Sequence, residues 1–442
     1  MYKSKFNYIF KINDEQWCFF NTLKGSLAIL SNYEKEIYDD FLHDDMTQTP
    51  NFIYDLRNLG FIHNDDFDET SIVNYSRIKR IYTEDSAYIR ILTTTGCNAR
   101  CDYCYENITE SSTMNDTTAL NTAMFIEKKY SAKKLHLHWF GGEPLLNTNA
   151  IDIISDYIKK HMPNTDINVS MTSNGSLINE NIVEKMIKRW NISYIQITID
   201  DTYERYNSIK KYSNSKINYS TIINNIRKVL VNGIKVNVRV NYYPSDISAI
   251  KRVCRELITS FETYYINKDL IITPSPIFGD FEAECKNMPI DDKSQYSMFD
   301  ALKCVFDCCN ETNGDIFSLN CKGGRCYACH NNSFVISPKG ELYKCTMAMN
   351  SKGTSVGSVT DGISYNREYY KWVNDYLNER CLTCVCLPLC QGGCRAYDMG
   401  YINHSCNYKA VHLEEIIRFK LLHNLAFDDN YAYCYTNYIN SI

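Results

Sequence analysis

The chain has 442 residues, 44% of them hydrophobic, and a net charge of −5, enough apolar material for the cores of two or three domains. That charge gives no electrostatic case for nucleic acid, whose binders carry a basic patch, and no run of about 18 apolar residues argues for a membrane span. Met1-Tyr2-Lys3-Ser4-Lys5-Phe6 lacks the apolar stretch of a signal peptide, so the expected setting is the cytoplasm, where disulfides rarely persist.

Residues 1–85 read as a small α+β unit. Phe6–Ile12 and Gln16–Asn21 predict a hairpin around Asn13-Asp14-Glu15, followed by a helix with Ser31 or Asn32 as N-cap and Glu34 in its first turn. Phe52–Leu59 predicts a helix stopped by Gly60, and Phe61-Ile62-His63 a short strand. From residue 86 to 295 the pattern alternates. Strands are expected at Ala87–Thr95, Lys134–Phe140, Asp166–Ser173, Ser193–Asp200, Lys235–Tyr242 and Asp269–Thr273. Between them Ala119, Ala123, Ile126 and Tyr130 share one helical face, as do Ile151, Ile154 and Ile158. Further helices are expected at Glu180–Arg189, Tyr219–Val231 and Ile247–Phe261. Strands separated by helices imply right-handed βαβ units on a parallel sheet, with ligands at the carboxyl ends of the strands.

Cys97-Asn98-Ala99-Arg100-Cys101-Asp102-Tyr103-Cys104 follows the first of these strands. Three thiolates at C-x3-C-x2-C can hold three irons of a cubane cluster and leave the fourth iron open. A zinc knuckle is the alternative, but it needs a fourth ligand, and C-x3-C is unusual spacing for it. The second strand ends in Gly141-Gly142-Glu143-Pro144. There two glycines would let backbone approach a ligand closely, and a carboxylate would accept from a ligand ammonium.

This combination, with an aromatic residue just before the third cysteine, resembles the radical S-adenosylmethionine (SAM) enzymes. The resemblance implies an α/β fold with an open, partial (β/α)6 barrel. It also implies a [4Fe-4S] cluster on Cys97, Cys101 and Cys104, where reductive cleavage of SAM yields a 5′-deoxyadenosyl radical. By the same resemblance Gly141, Gly142, Glu143 and Pro144 meet the amino group of SAM. Ser173 and Asn174 meet its ribose, Tyr103 its adenine, and Arg239 its carboxylate. Ordinary strand-end polarity is the alternative for Ser173, Asn174 and the Asp200-Asp201 pair, and a structural ion pair for Arg239.

Pro274, Pro276 and Gly279 break the regular pattern, and Lys293–Asn310 predicts a helix bearing Cys304, Cys308 and Cys309, most simply as small buried hydrophobes. Residues 296–442 then change character. Of the chain's 20 cysteines only Cys18 precedes Cys97, whereas ten fall between Cys321 and Cys406, a clustering that reads as metal ligation in a reducing compartment. Phe334-Val335-Ile336, a Pro338-Lys339-Gly340 turn and a second strand ending in Cys345 predict a hairpin. With the run Cys381-x2-Cys384-x5-Cys390-x3-Cys394 and Cys406, it resembles the SPASM extension of peptide-modifying radical SAM enzymes. Carried over by position, a distal [4Fe-4S] cluster takes Cys381, Cys384, Cys390 and Cys406. A proximal one takes Cys345, Cys394 and two of Cys321, Cys326 and Cys329, with Cys326 and Cys329 favoured; structural zinc sites are the alternative. Cys386 has no role in this pattern.

The resemblance implies three clusters, SAM, an electron donor such as flavodoxin or ferredoxin, and a ribosomally made precursor peptide as substrate. The peptide is expected to carry a Cys and a leader, which the N-terminal unit would grip. Thioether crosslinking by a peptide maturase is the expected reaction. An anaerobic sulfatase maturase is less favoured, because Thr346 stands where that family places a basic Asp. A non-enzymatic iron–sulfur electron carrier is the alternative of a different class, but it needs no barrel.

Overall fold

The computed structural model describes residues 1–40, 51–66, 68–104, 111–131, 133–277, 293–308, 317–319, 326–349, 351–374, 376–400, 406, 408–425 and 433–434. At its centre six parallel strands stand in sequence order: β1 (Ser86–Leu92), β2 (Lys134–Phe140), β3 (Ile167–Ser173), β4 (Ile192–Ile199), β5 (Lys235–Tyr242) and β6 (Leu270–Pro276). Helices α1 (Asp116–Tyr130), α2 (Thr148–His161), α3 (Glu180–Lys188), α4 (Tyr203–Lys210), α5 (Tyr219–Val231), α6 (Ser248–Ile266) and α7 (Lys293–Cys308) alternate with or follow them. Asn115, Asn147, Asn179 and Asn218 cap α1, α2, α3 and α5, each side chain accepting from a first-turn amide.

Period-two alternation decides what each face of the sheet carries. Ala87, Ile89 and Ile91 of β1 join the main core with Ile126 of α1 and Ile154 of α2. Tyr88 and Arg90, one residue out of step, belong to the opposite face, as do Thr172 of β3, Gln196 of β4 and Arg239 of β5. The outer face is therefore apolar beneath the helices and the inner face polar. This is an open, partial barrel.

Two departures from expectation have clear causes. β1 ends at Leu92, not Thr95: Thr93 N–H still donates to Phe140 at the end of β2, but Thr95 N–H turns to Ser112 in the following loop. β6 runs through Pro274 and Pro276, which were expected to interrupt the pattern. It is the terminal strand of the sheet. Prolines at alternate positions remove only donors that would point away from β5. Gly279 lies outside the described residues.

The predicted hairpin is present as β7 (Ser333–Ile336) and β8 (Leu342–Tyr343), and β7 pairs in parallel with β1. That pairing extends the sheet to eight strands. At the N-terminus, Asn7–Lys11 and Gln16–Asn21 form the expected hairpin, and Ser26–Ser31 adds a third antiparallel strand. Ser31 is the helix cap: its hydroxyl accepts from Glu34 N–H at 3.3 Å while the Glu34 carboxylate accepts from Ser31 N–H at 2.8 Å. Phe10, Cys18, Phe20 and Leu27 of this unit share a core with Cys386, Leu389, Ile416 and Ile417. Arg77 fastens the same interface, donating to the carbonyls of Gln391 and Tyr376 at 3.0 Å each. Among the described residues no helix is long and apolar enough to cross a membrane.

Candidate active site

Beyond Leu92 the chain crosses the carboxyl ends of the strands, and the loop after β2 lies on it. Gly142 N–H donates to the Thr94 carbonyl at 3.1 Å and Glu143 N–H to the Gly96 carbonyl at 2.9 Å. A Cβ on Gly141 would stand 2.2 Å from Thr94 O, and one on Gly142 would stand 2.4 Å from Gly96 O. The glycines thus allow close contact between the two loops. Gly142→Ala is expected to cost about 1–3 kcal/mol through overpacking, read by urea denaturation. An alanine variant as stable as the parent would contradict the loop contact.

Glu143 is fully buried. Its carboxylate accepts from Leu145 N–H at 3.1 Å, Asn174 N–H at 2.8 Å and the Ser173 hydroxyl at 2.9 Å. Burial pushes its pKa up to about 7, against the pull of those donors. Both oxygens are engaged by protein donors, so the carboxylate ties the β2 loop to the end of β3. Pro144 opens the short helical turn that follows, and its carbonyl accepts from the Thr93 hydroxyl at 3.1 Å. Ser173 is committed to Glu143. The Asn174 amide donates to Asn98 Oδ1 at 2.9 Å and lies 3.8 Å from Cys97 Sγ. These two residues, expected at a ribose, are engaged in the wall behind the cysteine loop.

That loop is held from the other side by α4. The Lys210 carbonyl accepts from Arg100 N–H at 2.9 Å, and the Asn98 carbonyl accepts from Ser213 N–H at 2.9 Å. The Lys210 ammonium lies 3.0 Å from Asp200 and donates to the Tyr103 hydroxyl at 3.0 Å. Tyr103 donates to Asp200 at 2.6 Å, and Asn241 reaches both at 3.1 and 2.9 Å. The Tyr103 hydroxyl is therefore anchored in this network. Burial opposes the Lys210 charge, but Asp200, then Tyr103 and Cys101, outweigh it and hold its pKa well above the usual value. Asp201 is bridged by Arg205 and Arg252 at 3.1 Å each, a structural role. Arg239 donates to Asn241 at 3.0 Å and Ser275 at 2.6 Å, so it adjoins the Tyr103 network on the inner face of β5.

Lys210 and three inner-face residues of β1 and β2 escaped the sequence reading. His138 is bracketed by Ser170 and Thr172 at 2.7 and 3.0 Å, and burial, helped by the Arg90 charge, depresses its pKa to about 3. Arg90 and Tyr88 stand beside it. The available signal was alternation: these are polar or ring-bearing positions on otherwise apolar strands.

At the hairpin, Cys329 precedes β7 and Cys345 follows β8, so antiparallel pairing brings both to one end. Cys345 packs with Ala328 and Trp372 in a cluster that Tyr327 and Cys394 adjoin. Cys326 feels the charges of Cys329, Cys345 and Cys394. The favoured proximal set therefore shares one neighbourhood; Cys321 lies outside the described residues. Lys344 is buried against it, donating to the carbonyls of Ser333 (2.6 Å) and His330. Burial lowers the Lys344 amine to about 7, while the thiols of Cys329 and Cys326 pull it upward. Cys381 feels Cys384 and Cys406, and Cys386 feels Cys384, Cys390 and Cys406. The buried Cys386 thiol donates to the Ala410 carbonyl at 3.7 Å. Cys304 and Cys308 pack partly buried against the main core, as expected of small hydrophobes.

Among the described residues no three His, Cys, Asp or Glu side chains close on a point as a single metal ion requires.

Residues 91–252 match the Radical SAM superfamily. The chain therefore carries a radical SAM domain on the partial barrel just described. It is 24% identical to the radical SAM cyclopropyl synthase TigE of Paramaledivibacter caminithermalis, over 88% of this chain and 89% of that one. Its fold is similar to anSMEcpe with bound AdoMet (TM-score 0.61, 17% identity), covering 78% of this chain and 100% of the other. It is also similar to Streptococcus suis SuiB bound to precursor peptide SuiA (TM-score 0.50, 12% identity), covering 89% and 95%.

Proposed function

We propose that this chain uses Cys97, Cys101 and Cys104 to hold the site-differentiated cluster, binds SAM above it, and modifies a ribosomally made peptide. The observation that carries this reading is the lock of the cysteine loop between the Gly141-Gly142 loop and α4, at the carboxyl ends of parallel strands. When bound, the cluster and SAM supply a 5′-deoxyadenosyl radical. The protein's part is to orient them: Glu143 braces the β2 loop against β3, Asn174 stands behind Cys97, and the Tyr103–Asp200–Lys210 network fixes the third turn of the loop. Two auxiliary clusters on Cys326/Cys329/Cys345/Cys394 and Cys381/Cys384/Cys390/Cys406 complete a SPASM-type extension spanning 296–442, after an N-terminal unit (1–85) that grips a leader and a barrel (86–295). Flavodoxin or ferredoxin supplies electrons, in the cytoplasm.

Thioether formation from a peptide Cys is the reaction we assign first. Near-full-length similarity to TigE favours a second reading, closure of a carbon ring on a side chain. Thr346 has no basic group, which argues against formylglycine formation.

Two measurements test these statements. Anaerobically reconstituted protein should hold about twelve iron and about twelve sulfide per chain, as three cubes require; about four would remove the auxiliary clusters. Incubated with SAM, reductant and a Cys-containing precursor peptide, it should release 5′-deoxyadenosine and yield a peptide lighter by two hydrogens. In that product, loss of an alkylatable thiol supports the thioether and a retained thiol supports the carbon ring; a peptide that has instead lost its thiol sulfur and carries a hydrazide-reactive aldehyde would support formylglycine.

A further inference from the structure

Arg90 lies on the inner face of β1, where it pairs in register with Val335 of β7, and Val335 with Tyr343, two residues before Cys345. Its guanidinium stands 4.7 Å from the centre of the Phe140 ring and 4.9 Å from that of Tyr327. Phe140 immediately precedes the Gly141-Gly142 loop; Tyr327 lies between Cys326 and Cys329. Tyr88 closes the stack, its ring 4.9 Å from that of Tyr327. The cation is thus clamped where the SAM-side loop meets the proximal thiols. Its charge reaches His138 on one side and Tyr327 and Cys345 on the other.

We propose that Arg90 is a positioning and electrostatic residue that raises the reduction potential of the cluster on Cys326, Cys329, Cys345 and Cys394. The inference rests on the auxiliary-cluster reading above. A cube gains one negative charge on one-electron reduction, so a fixed neighbouring cation favours the reduced form, and net charge is among the quantities that set such potentials. Lys344 flanks the same thiols, but an amine can lose its charge; a guanidinium cannot. The distal thiols have a cation of their own, Arg380, whose charge acts on Cys381 and Cys384.

The test is a redox titration followed by electron paramagnetic resonance. It uses full-length reconstituted protein in a Cys97/Cys101/Cys104→Ala background, so that only auxiliary signals remain. Arg90→Met should weaken reduction of one auxiliary cluster about tenfold, which for one electron is about 59 mV downward, and leave the other unmoved. Arg90→Lys, which keeps the charge, should restore most of the difference. An Arg90→Met protein with full iron and both potentials unchanged would overturn the assignment. So would equal shifts in the Met and Lys variants, which would signal lost packing rather than lost charge. Absence of auxiliary signals in that background, with iron at about zero per chain, would instead strike the cluster reading itself and this inference with it.

Discussion

Replacing Cys97, Cys101 and Cys104 together with alanine is expected to abolish reductive SAM cleavage, a fall of at least about 1000-fold, or about 4 kcal/mol in barrier. Iron should drop by about four per chain while the auxiliary clusters stay. The fold should survive, because Cys97 and Cys101 are only half-buried and Cys104 is exposed; none is a main-core residue. The loop is held instead by backbone bonds to Lys210 and Thr94, which alanine retains. Dithionite-driven 5′-deoxyadenosine release, with circular dichroism as the folding control, reads the result. Turnover undiminished in the triple variant would defeat the proposed ligand assignment.

Lys210→Met is expected to cost stability rather than chemistry directly. The Lys210 and Asp200 side chains are 2% and 0% exposed, so removing the ammonium strands a buried carboxylate, a loss of about 3–5 kcal/mol. Lys210→Met combined with Asp200→Asn should recover much of it, since the residual charge is gone. The pH dependence has a definite sign. A lysine whose folded pKa is raised contributes fully below its unfolded value of about 10.4, and the contribution fades only as pH rises through the folded value. The penalty should therefore be equal at pH 6 and pH 9. Urea denaturation of the single and double variants checks this. A single variant as stable as the parent would show that water reaches Asp200, and the network would then not be the dry anchor described.

Much of this was legible beforehand because the signals are local. The alternation in β2 and β5, Gly60 ending its helix at φ +83°, and the β7–β8 turn each depend on neighbours a few residues away. Cysteine spacing is equally local, and it marked the loop of the radical SAM domain. What local signals left open was decided by partners distant in sequence. The glycines of the β2 loop pack against Thr94 and Gly96, and the Glu143 carboxylate accepts from Ser173, Asn174 and Leu145. Nothing in Gly-Gly-Glu-Pro reveals which backbone lies opposite.

By itself, then, the order of residues determined the class of chemistry: thiol spacing, strand–helix alternation and a glycine pair are one-dimensional patterns with few physical readings. Only the tertiary structure decided which polar groups are spoken for. It paired β7 with β1, buried Lys210 against Asp200, and set Arg90 between Phe140 and Tyr327. Such choices come from packing and desolvation, which sum over contacts between segments far apart in the chain and leave no periodic trace along it.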